Sequence, residues 1–316
     1  MRNPPRVTVL GSLNIDISVT VPRLPEPGAT VLGSAARFTP GGKGANQAVA
    51  AARLGAAVRM TGCVGDDDFG RRLLAALREE GVDHQGVRVT ADAPTGLAMI
   101  SVDTAGENMI TVASGANHQV GDQQVAAATG HGDILVICAE IPVPAIKAAL
   151  TKAAPTKAAS TRAPRCILNL APAPPDAAAI VAAGVDWLVV NETEAAAVLG
   201  RPVGGLAEAG QAAAALITAG ARHAVVTAGA HGAALAGPDA TGTISAFRVD
   251  AVDTVGAGDT FVGALAVALA AGIPAAAAVR AASAAGATAA TRPGAQAGMP
   301  RPADILATTG LRWPAG

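Results

Sequence analysis

Tyrosine is absent, and aromatic residues make up 2% of the chain, as two Trp and four Phe. A core and any pocket must then be built from small and branched aliphatics, and much of the 51% hydrophobic share is alanine. No sign of charge predominates: 23 basic and 24 acidic residues leave a net charge of −1 over 316 residues. Such a balance offers no broad attraction to nucleic acid or to an anionic membrane, so neither is expected as a partner. Cysteine is scarce as well. Cys63, Cys138 and Cys166 form no CxxC pair, and an odd number cannot all pair internally. Each lies at or near the end of an apolar, strand-like run. They read as buried reduced thiols, which fits a cytoplasmic protein.

Long apolar runs are missing too. The opening MRNPPRVTVLGS holds too short an apolar run for a secretion signal. The best candidate for a membrane span is the uncharged stretch Phe261–Val279, but it is mostly Ala and Gly and Pro274 interrupts it. Two buried helices meeting at Gly272-Ile273-Pro274 are the expectation. Several familiar sites are absent. Gly42-Lys43 is followed by Gly44, so there is no Walker A loop, and no GxGxxG fingerprint occurs. Asp68-Phe69-Gly70 spells DFG without a catalytic HRD, and reads as an acidic helix start. No HExxH is formed by the five histidines.

What is present is strand–helix alternation. Val7–Leu10, Val58–Cys63, Ile134–Cys138, Cys166–Leu170, Trp187–Val190 and Ala224–Thr227 read as buried strands. Lys43–Leu54, Phe69–Glu80, Val143–Thr151, Glu192–Leu199, Leu206–Ala219 and Ala257–Ala271 read as helices. The pattern predicts an α/β fold: a doubly wound, mostly parallel sheet with helices on both faces. Ligands of such folds sit at the carboxyl ends of strands. Ile15–Phe38, with turn signals at Pro22, Pro25 and Pro27-Gly28, and Gly96–Val112 depart from this rhythm and read as β-ribbon. About 15–38 and 96–112 are expected to form a small β-sheet lid on a single domain spanning 1–316. Thr151–Arg165, rich in Ala, Thr and Pro, reads as a helix end followed by an exposed loop.

The segment Asp253-Thr254-Val255-Gly256-Ala257-Gly258-Asp259-Thr260-Phe261 carries the strongest chemical signal. Small residues precede a carboxylate at the start of an apolar helix. Glycines admit close approach of an anion, and free N–H groups at a helix start bind phosphate. Asp259 in that place can hold or deprotonate an attacking hydroxyl, or serve only as a cap.

That segment resembles the C-terminal signature of the ribokinase, fructokinase and adenosine kinase family. Gly41-Gly42-Lys43-Gly44-Ala45-Asn46-Gln47-Ala48 resembles the family's N-terminal signature. Gly11-Ser12-Leu13-Asn14-Ile15-Asp16, Gly106-Glu107-Asn108, Asn191-Glu192-Thr193-Glu194 and Thr227-Ala228-Gly229 extend the match in order, from about Val7 to about Pro300. The resemblance implies a ribokinase-like fold and ATP-dependent phosphorylation of a hydroxymethyl group. The form of the motif around Asn14, Asp16 and GGKGANQAVA points to D-ribose, phosphorylated at its 5-hydroxyl. The alternative is a related kinase acting on deoxyribose, a nucleoside or another sugar.

Site roles follow from the same resemblance. Asp259 is the expected catalytic base, and Gly256, Ala257 and Gly258 form the anion hole. The sugar falls to Asn14, Asp16, Gly41, Gly42, Lys43, Asn46, Glu140 and Asp259. In an extended segment Asn14 and Asp16 face the same way, and an amide beside a carboxylate suits adjacent hydroxyls. ATP is assigned to Asn191, Thr227, Ala228, Gly229, Ala230, His231, Gly232, Gly258 and Ser283. Mg²⁺ is expected near Asn191 and Glu194, a spacing that equally suits a capping box. K⁺ is expected at Asp253, Val255, Ala289, Arg292, Gly294 and Gly298, where Gly298 replaces a serine common in the family. Leu170 replaces a usual proline, while Asn169 remains. A homodimer through the lid is implied as well.

Overall fold

The computed structural model describes residues 3–154 and 165–314. The chain begins with strand β1 (Arg6–Leu10), makes an excursion through β2 (Asn14–Thr20) and β3 (Arg37–Gly41), and returns by helix α1 (Lys43–Arg53) to β4 (Ala57–Gly65). Helix α2 (Asp68–Glu79) leads to edge strand β5 (Asp83–Thr90), and a second excursion forms β6 (Gly96–Val102) and β7 (Asn108–Ala113). Regular alternation follows: α3 (Asp122–Thr129), β8 (Ile134–Cys138), α4 (Val143–Ala153), β9 (Arg165–Asn169), α5 (Ala177–Ala182) and β10 (Val185–Asn191). Then come α6 (Glu192–Leu199), α7 (Gly205–Ala219), β11 (Ala221–Thr227), β12 (Gly232–Ala236) and β13 (Gly242–Ser245). Helices α8 (Ala257–Ala270), α9 (Ala275–Ala289), α10 (Ala295–Gly298) and α11 (Pro302–Thr309) complete the described chain.

The main sheet runs β13-β12-β11-β10-β9-β8-β1-β4-β5, antiparallel only in the pairings of β12. Its inner strands are largely apolar because helices cover both faces; β8, Ile-Leu-Val-Ile-Cys, is buried throughout. Alternate residues serve two separate cores. Val7, Val9, Ile134 and Val136 pack on one side, and Leu10, Leu135 and Ile137 on the other. Strand β1 lies between β4 and β8, and the chain grows outward from it in both directions. The crevice at the carboxyl ends of β1 and β8 is therefore the topological switch point, the expected ligand position.

The two excursions form a separate four-stranded sheet of order β3-β2-β6-β7. The expected ribbon over Ile15–Phe38 is only partly realised. Strands occupy its ends, while residues 21–36 contain no strand, since Pro22, Pro25 and Pro27 withdraw ladder donors. Cross-strand register aligns Thr39, Asp16, Ala98 and Val112 in one row, so they share a face.

Helices α8 and α9 replace the uncharged stretch as anticipated. Gly272 has φ 80° and Pro274 caps α9, which separates them. Among the described residues no helix is long and apolar enough to cross a membrane. The Asp68 helix start also forms, capped by Asp67, whose carboxylate accepts from the Gly70 N–H at 2.8 Å. The expected loop after α4 falls mainly on residues 155–164, outside those described.

One helix contact sets up the chemistry. Helix α8 packs on α1 at Gly263, where a Cβ would lie 2.7 Å from the Gln47 carbonyl oxygen and 2.8 Å from the Ala50 Cβ. Only glycine lets the backbones approach this closely. One turn earlier on the same face of α8 stands Asp259, which is thereby brought against Asn46 and Gln47 of α1.

Candidate active site

Asp259 lies in the first turn of α8, 8% exposed. Its Oδ2 accepts from Asn46 Nδ2 at 2.9 Å, and its Oδ1 from Gln47 Nε2 at 3.1 Å. Gly256 is the N-cap of α8. The helical ladder opens with Thr260 N–H donating to the Gly256 carbonyl at 2.8 Å. Ala257 N–H turns back to Thr254 O at 3.2 Å, so this predicted anion-hole donor is already engaged. Among the described residues the N–H groups of Gly256, Gly258 and Asp259 have no hydrogen-bond acceptor. The helix start thus offers free donors beside the carboxylate, aided by the helix dipole.

The predicted sugar residues gather at the switch point. After β1, Ser12 Oγ donates to Glu140 Oε2 at 2.6 Å, and the Lys43 N–H approaches the same oxygen at 3.4 Å. Asn14 is 2% exposed, and its Oδ1 accepts from Asn117 Nδ2 at 2.8 Å. That bond leaves the Asn14 amide protons for another acceptor, such as a hydroxyl oxygen. A Cβ at Gly41 would collide with the Asp16 carboxylate, so the glycine lets this side chain lie flat on the backbone. A cavity of about 210 Å³ opens here, lined by Ser12, Asn14, Val112, Asn117 and Glu140 among others.

Carboxylates crowd around the Lys43 ammonium. The Asp16 carboxyl is pushed up to about 7, first by burial and then by the charges of Glu140 and Asp259, with Lys43 opposing. Lys43 is raised above the ordinary lysine range by the negative charge of Asp259, against the cost of burial, with Glu140 and Glu194 adding. Burial also raises Glu194. This excess of buried negative charge suits a partner that brings hydroxyl donors.

At the end of β10, Asn191 and Glu194 form the capping box. Glu194 N–H donates to Asn191 Oδ1 at 2.8 Å, and Asn191 N–H to Glu194 Oε2 at 2.8 Å. Asn191 also pairs in register with Thr227 of β11, which joins it to the next part of the site. There a cleft of about 510 Å³ is lined by Thr227, Gly229, Ala230, Gly232, Gly258 and Ser283 of the predicted nucleotide residues. Ala228 is buried behind the turn, and His231 is exposed beside it; neither lines the cleft. Ser283 Oγ donates to Val279 O at 2.9 Å within α9, so it meets a ligand as an acceptor. Asp253 ties the approach to α8: its Oδ1 accepts from Val255 N–H at 2.9 Å and its Oδ2 from Gly294 N–H at 2.8 Å. Ala289 O and Arg292 O converge on Gly298, where a Cβ would stand 3.2 and 3.1 Å from them.

Several site residues had no assigned role in the sequence. Ser12 sits inside a quoted motif, yet nothing in its spacing marks it as the support of Glu140. Asn117 lies outside every motif and reaches the site only through its hydrogen bonds to Leu13 and Asn14. Phe247, Val249 and Ala251 form an apolar wall of the large cleft, too short a run to stand out, with the Arg280 guanidinium 5.7 Å from the Phe247 ring centre.

The model of the pfkB family carbohydrate kinases matches residues 4–302. The chain is 35% identical to a ribokinase of Haemophilus influenzae, over 95% of this chain and 97% of that protein. It is 37% identical to a ribokinase of Bacillus subtilis with the same coverage. Among solved structures, Arabidopsis thaliana ribokinase complexed with ribose and ATP superposes with a TM-score of 0.82 at 30% identity, covering 96% of this chain and 98% of that one. The ribokinase-like fold expected from the motifs is thus the observed fold, and this chain belongs to the pfkB family of carbohydrate kinases.

Proposed function

We propose that the protein transfers the γ-phosphoryl group of ATP to the 5-hydroxyl of D-ribose, giving D-ribose 5-phosphate. The observation that carries this reading is the placement of Asp259. Its neighbours Ala257, Gly258 and Phe261 line the large apolar cleft that runs to Ser283, while its charge acts on Asp16 and Lys43 beside the small cavity edged by Asn14 and Glu140. Asn14, Asp16, Lys43 and Glu140 hold the sugar hydroxyls, while Thr227, Gly229, Ala230 and Gly232 take the nucleotide. Asp259 accepts the hydroxyl proton as the oxygen attacks. The free N–H groups of Gly258 and Asp259 stabilise the oxygens of the transferring group. A loose transition state requires proton removal only late, which a buried carboxylate can supply. The four-stranded sheet acts as a lid of a single kinase domain, with Val112 on the face of Asp16, and its closure excludes water. Phe38, Met99 and Met109 are exposed on the opposite face of that sheet, an apolar surface that fits a homodimer. The three buried free thiols fit a cytoplasmic enzyme.

Two cations complete the proposal. Asn191 and Glu194 satisfy each other directly, so they fit Mg²⁺ only through its retained water shell, as is usual for this ion. It would neutralise phosphate charge. Asp253, with the carbonyls of Val255, Ala289, Arg292 and Gly294, fits K⁺, because each oxygen keeps a second lone pair. A cation there would fix the turn that aims the α8 N–H groups.

ATP with ribose, 2-deoxyribose and adenosine, followed by ADP release, tests the substrate. Ribose should give the highest kcat/KM; preference for either other compound would replace this reading with the alternative kinase. Monovalent ions test the turn. At equal ionic strength K⁺ should raise activity severalfold over Na⁺, and Asp253→Ala should abolish the difference while basal turnover persists. Equal rates in K⁺, Na⁺ and a bulky organic cation would remove the site.

A further inference from the structure

The side chains behind Asp259 form a one-directional chain of amides. The Val189 carbonyl can only accept, and Asn169 Nδ2 donates to it at 3.2 Å. This turns Asn169 Oδ1 toward Gln47, whose Nε2 donates to it at 2.9 Å. The second proton of the same Nε2 goes to Asp259 Oδ1 at 3.1 Å. On the other oxygen, Gln296 Nε2 donates to Asn46 Oδ1 at 3.1 Å, which turns Asn46 Nδ2 toward Asp259 Oδ2 at 2.9 Å. Gln47 is fully buried, and its Oε1 has no hydrogen-bond partner. A flip of the Gln47 amide would satisfy nothing further along the chain. It would set Oε1 against Asn169 Oδ1, and Asn169 cannot follow because Val189 O offers no proton.

We propose that Gln47 is a positioning residue for Asp259, locked as a donor by Asn169 so that the carboxylate is held ionised with its free lone pairs toward the sugar. The inference rests on the reading of Asp259 as the proton acceptor. The mechanism is direct. A proton entering Asp259 Oδ1 on the side of Gln47 would face an N–H that cannot turn away. The amide donors take one lone pair on each carboxylate oxygen, and the lone pairs left for an incoming proton are those on the side away from Gln47 and Asn46. The orphaned Gln47 Oε1 is the cost of that polarity: a buried acceptor left unmet so that both amide protons point where they are used. Other charged groups acting on Asp259 are Lys43 of α1, Asp16 of β2 and Glu194 of α6. All stay in place when Gln47 is changed, so their influence cancels in the comparison.

Gln47→Leu removes the donor with little change in volume, and Gln47→Glu replaces it with an acceptor. In the full-length enzyme, Gln47→Leu should cut kcat by roughly 10-fold to 10²-fold while KM for ribose changes less than about 3-fold. The acidic limb of the kcat–pH profile should move upward, and further in Gln47→Glu, where two carboxyl groups must share a proton. Gln296→Leu lies at the partly exposed end of the chain and acts on the other oxygen through Asn46. It should move the limb in the same direction by a smaller amount, and it keeps the proposal testable if the buried substitutions fail to fold. A lowered melting temperature and rate with an unmoved acidic limb would mean a merely structural role and overturn the proposal. Asp259→Asn separates the two readings. If it keeps near-normal turnover, the proton-acceptor assignment fails. If it abolishes turnover while the limb stays fixed in Gln47→Leu and Gln296→Leu, the relay alone fails.

Discussion

Asp259→Asn should lower kcat by roughly 10²–10⁴, the usual contribution of a positioned base, while ribose still binds. The substitution keeps size and shape but removes the charge that accepts the proton. It carries a predictable side effect. Asn46 and Gln47 both present N–H groups to this residue. An asparagine has one carbonyl oxygen, so its own amide must face one of those donors. The resulting unpaired contact should cost about 1–3 kcal/mol of stability, visible as a lower denaturation midpoint. Enough stability should remain for the purified variant to be assayed at 25 °C. Rate measured with ATP and ribose, beside ribose affinity measured without ATP, separates chemistry from binding. Near-normal turnover in the folded variant would sink the assignment.

The parts of the molecule that could be read in the sequence share one property: their signal is local. Strand β8 is a bounded apolar run, and α6 begins on a capping sequence, so both were found at their true limits. The start of α8 is marked by small residues and a carboxylate within a few positions. What escaped was set by distant contacts or masked by composition. Strand β5 is half exposed with only weak apolar content, Asp-His-Gln-Gly-Val-Arg-Val-Thr, and forms because β4 offers it a partner. Helix α3, Asp-Gln-Gln-Val-Ala-Ala-Ala-Thr, has too little apolar contrast to show a period. Strand β12 and the edge strand β13 are short and mostly small residues. At the site, Asn46 and Asp259 were legible as separate motifs. Their junction was not, since it depends on Gly263 letting α8 settle on α1 across more than 200 residues of chain. Gln47 and Asn169 stand in segments that the resemblance covers, but nothing in their spacing marks an amide chain or extends it to Gln296: glutamine and asparagine are ordinary surface residues until the fold buries them.

Asp16 is where binding and stability should be seen to oppose each other. Its carboxyl stands at about 7 in the folded protein, against 3.8 for the unperturbed group, chiefly through burial and secondly through Glu140 and Asp259. A raised carboxyl binds its proton more tightly in the folded state than in the unfolded one. Below about pH 4 both states hold the proton and no penalty exists. Between about pH 4 and 7 the unfolded chain releases it first, so stability falls as pH rises, and above 7 the full penalty remains. Three units correspond to about 4 kcal/mol as an upper bound, and on the order of 1–3 kcal/mol after allowance for partial solvation. Asp16→Asn removes the titration. Without sugar, the variant should be more stable than the parent at pH 8 by that amount, melting roughly 1–5 °C higher, and should show less than half of that gain at pH 5. Its kcat/KM for ribose should fall by about 10²-fold, because hydrogen bonds from sugar hydroxyls to a charged acceptor are lost. The preference for ribose over 2-deoxyribose should narrow in parallel. In the parent, KM for ribose should rise as pH drops below 7, and in Asp16→Asn that dependence should flatten. Thermal melts at the two pH values, paired with KM measured across the same range, decide the matter. A variant no more stable at pH 8 than the parent would show that the Asp16 charge is not strained in the empty site, and an unchanged kcat/KM would remove Asp16 from the sugar's hydrogen bonds.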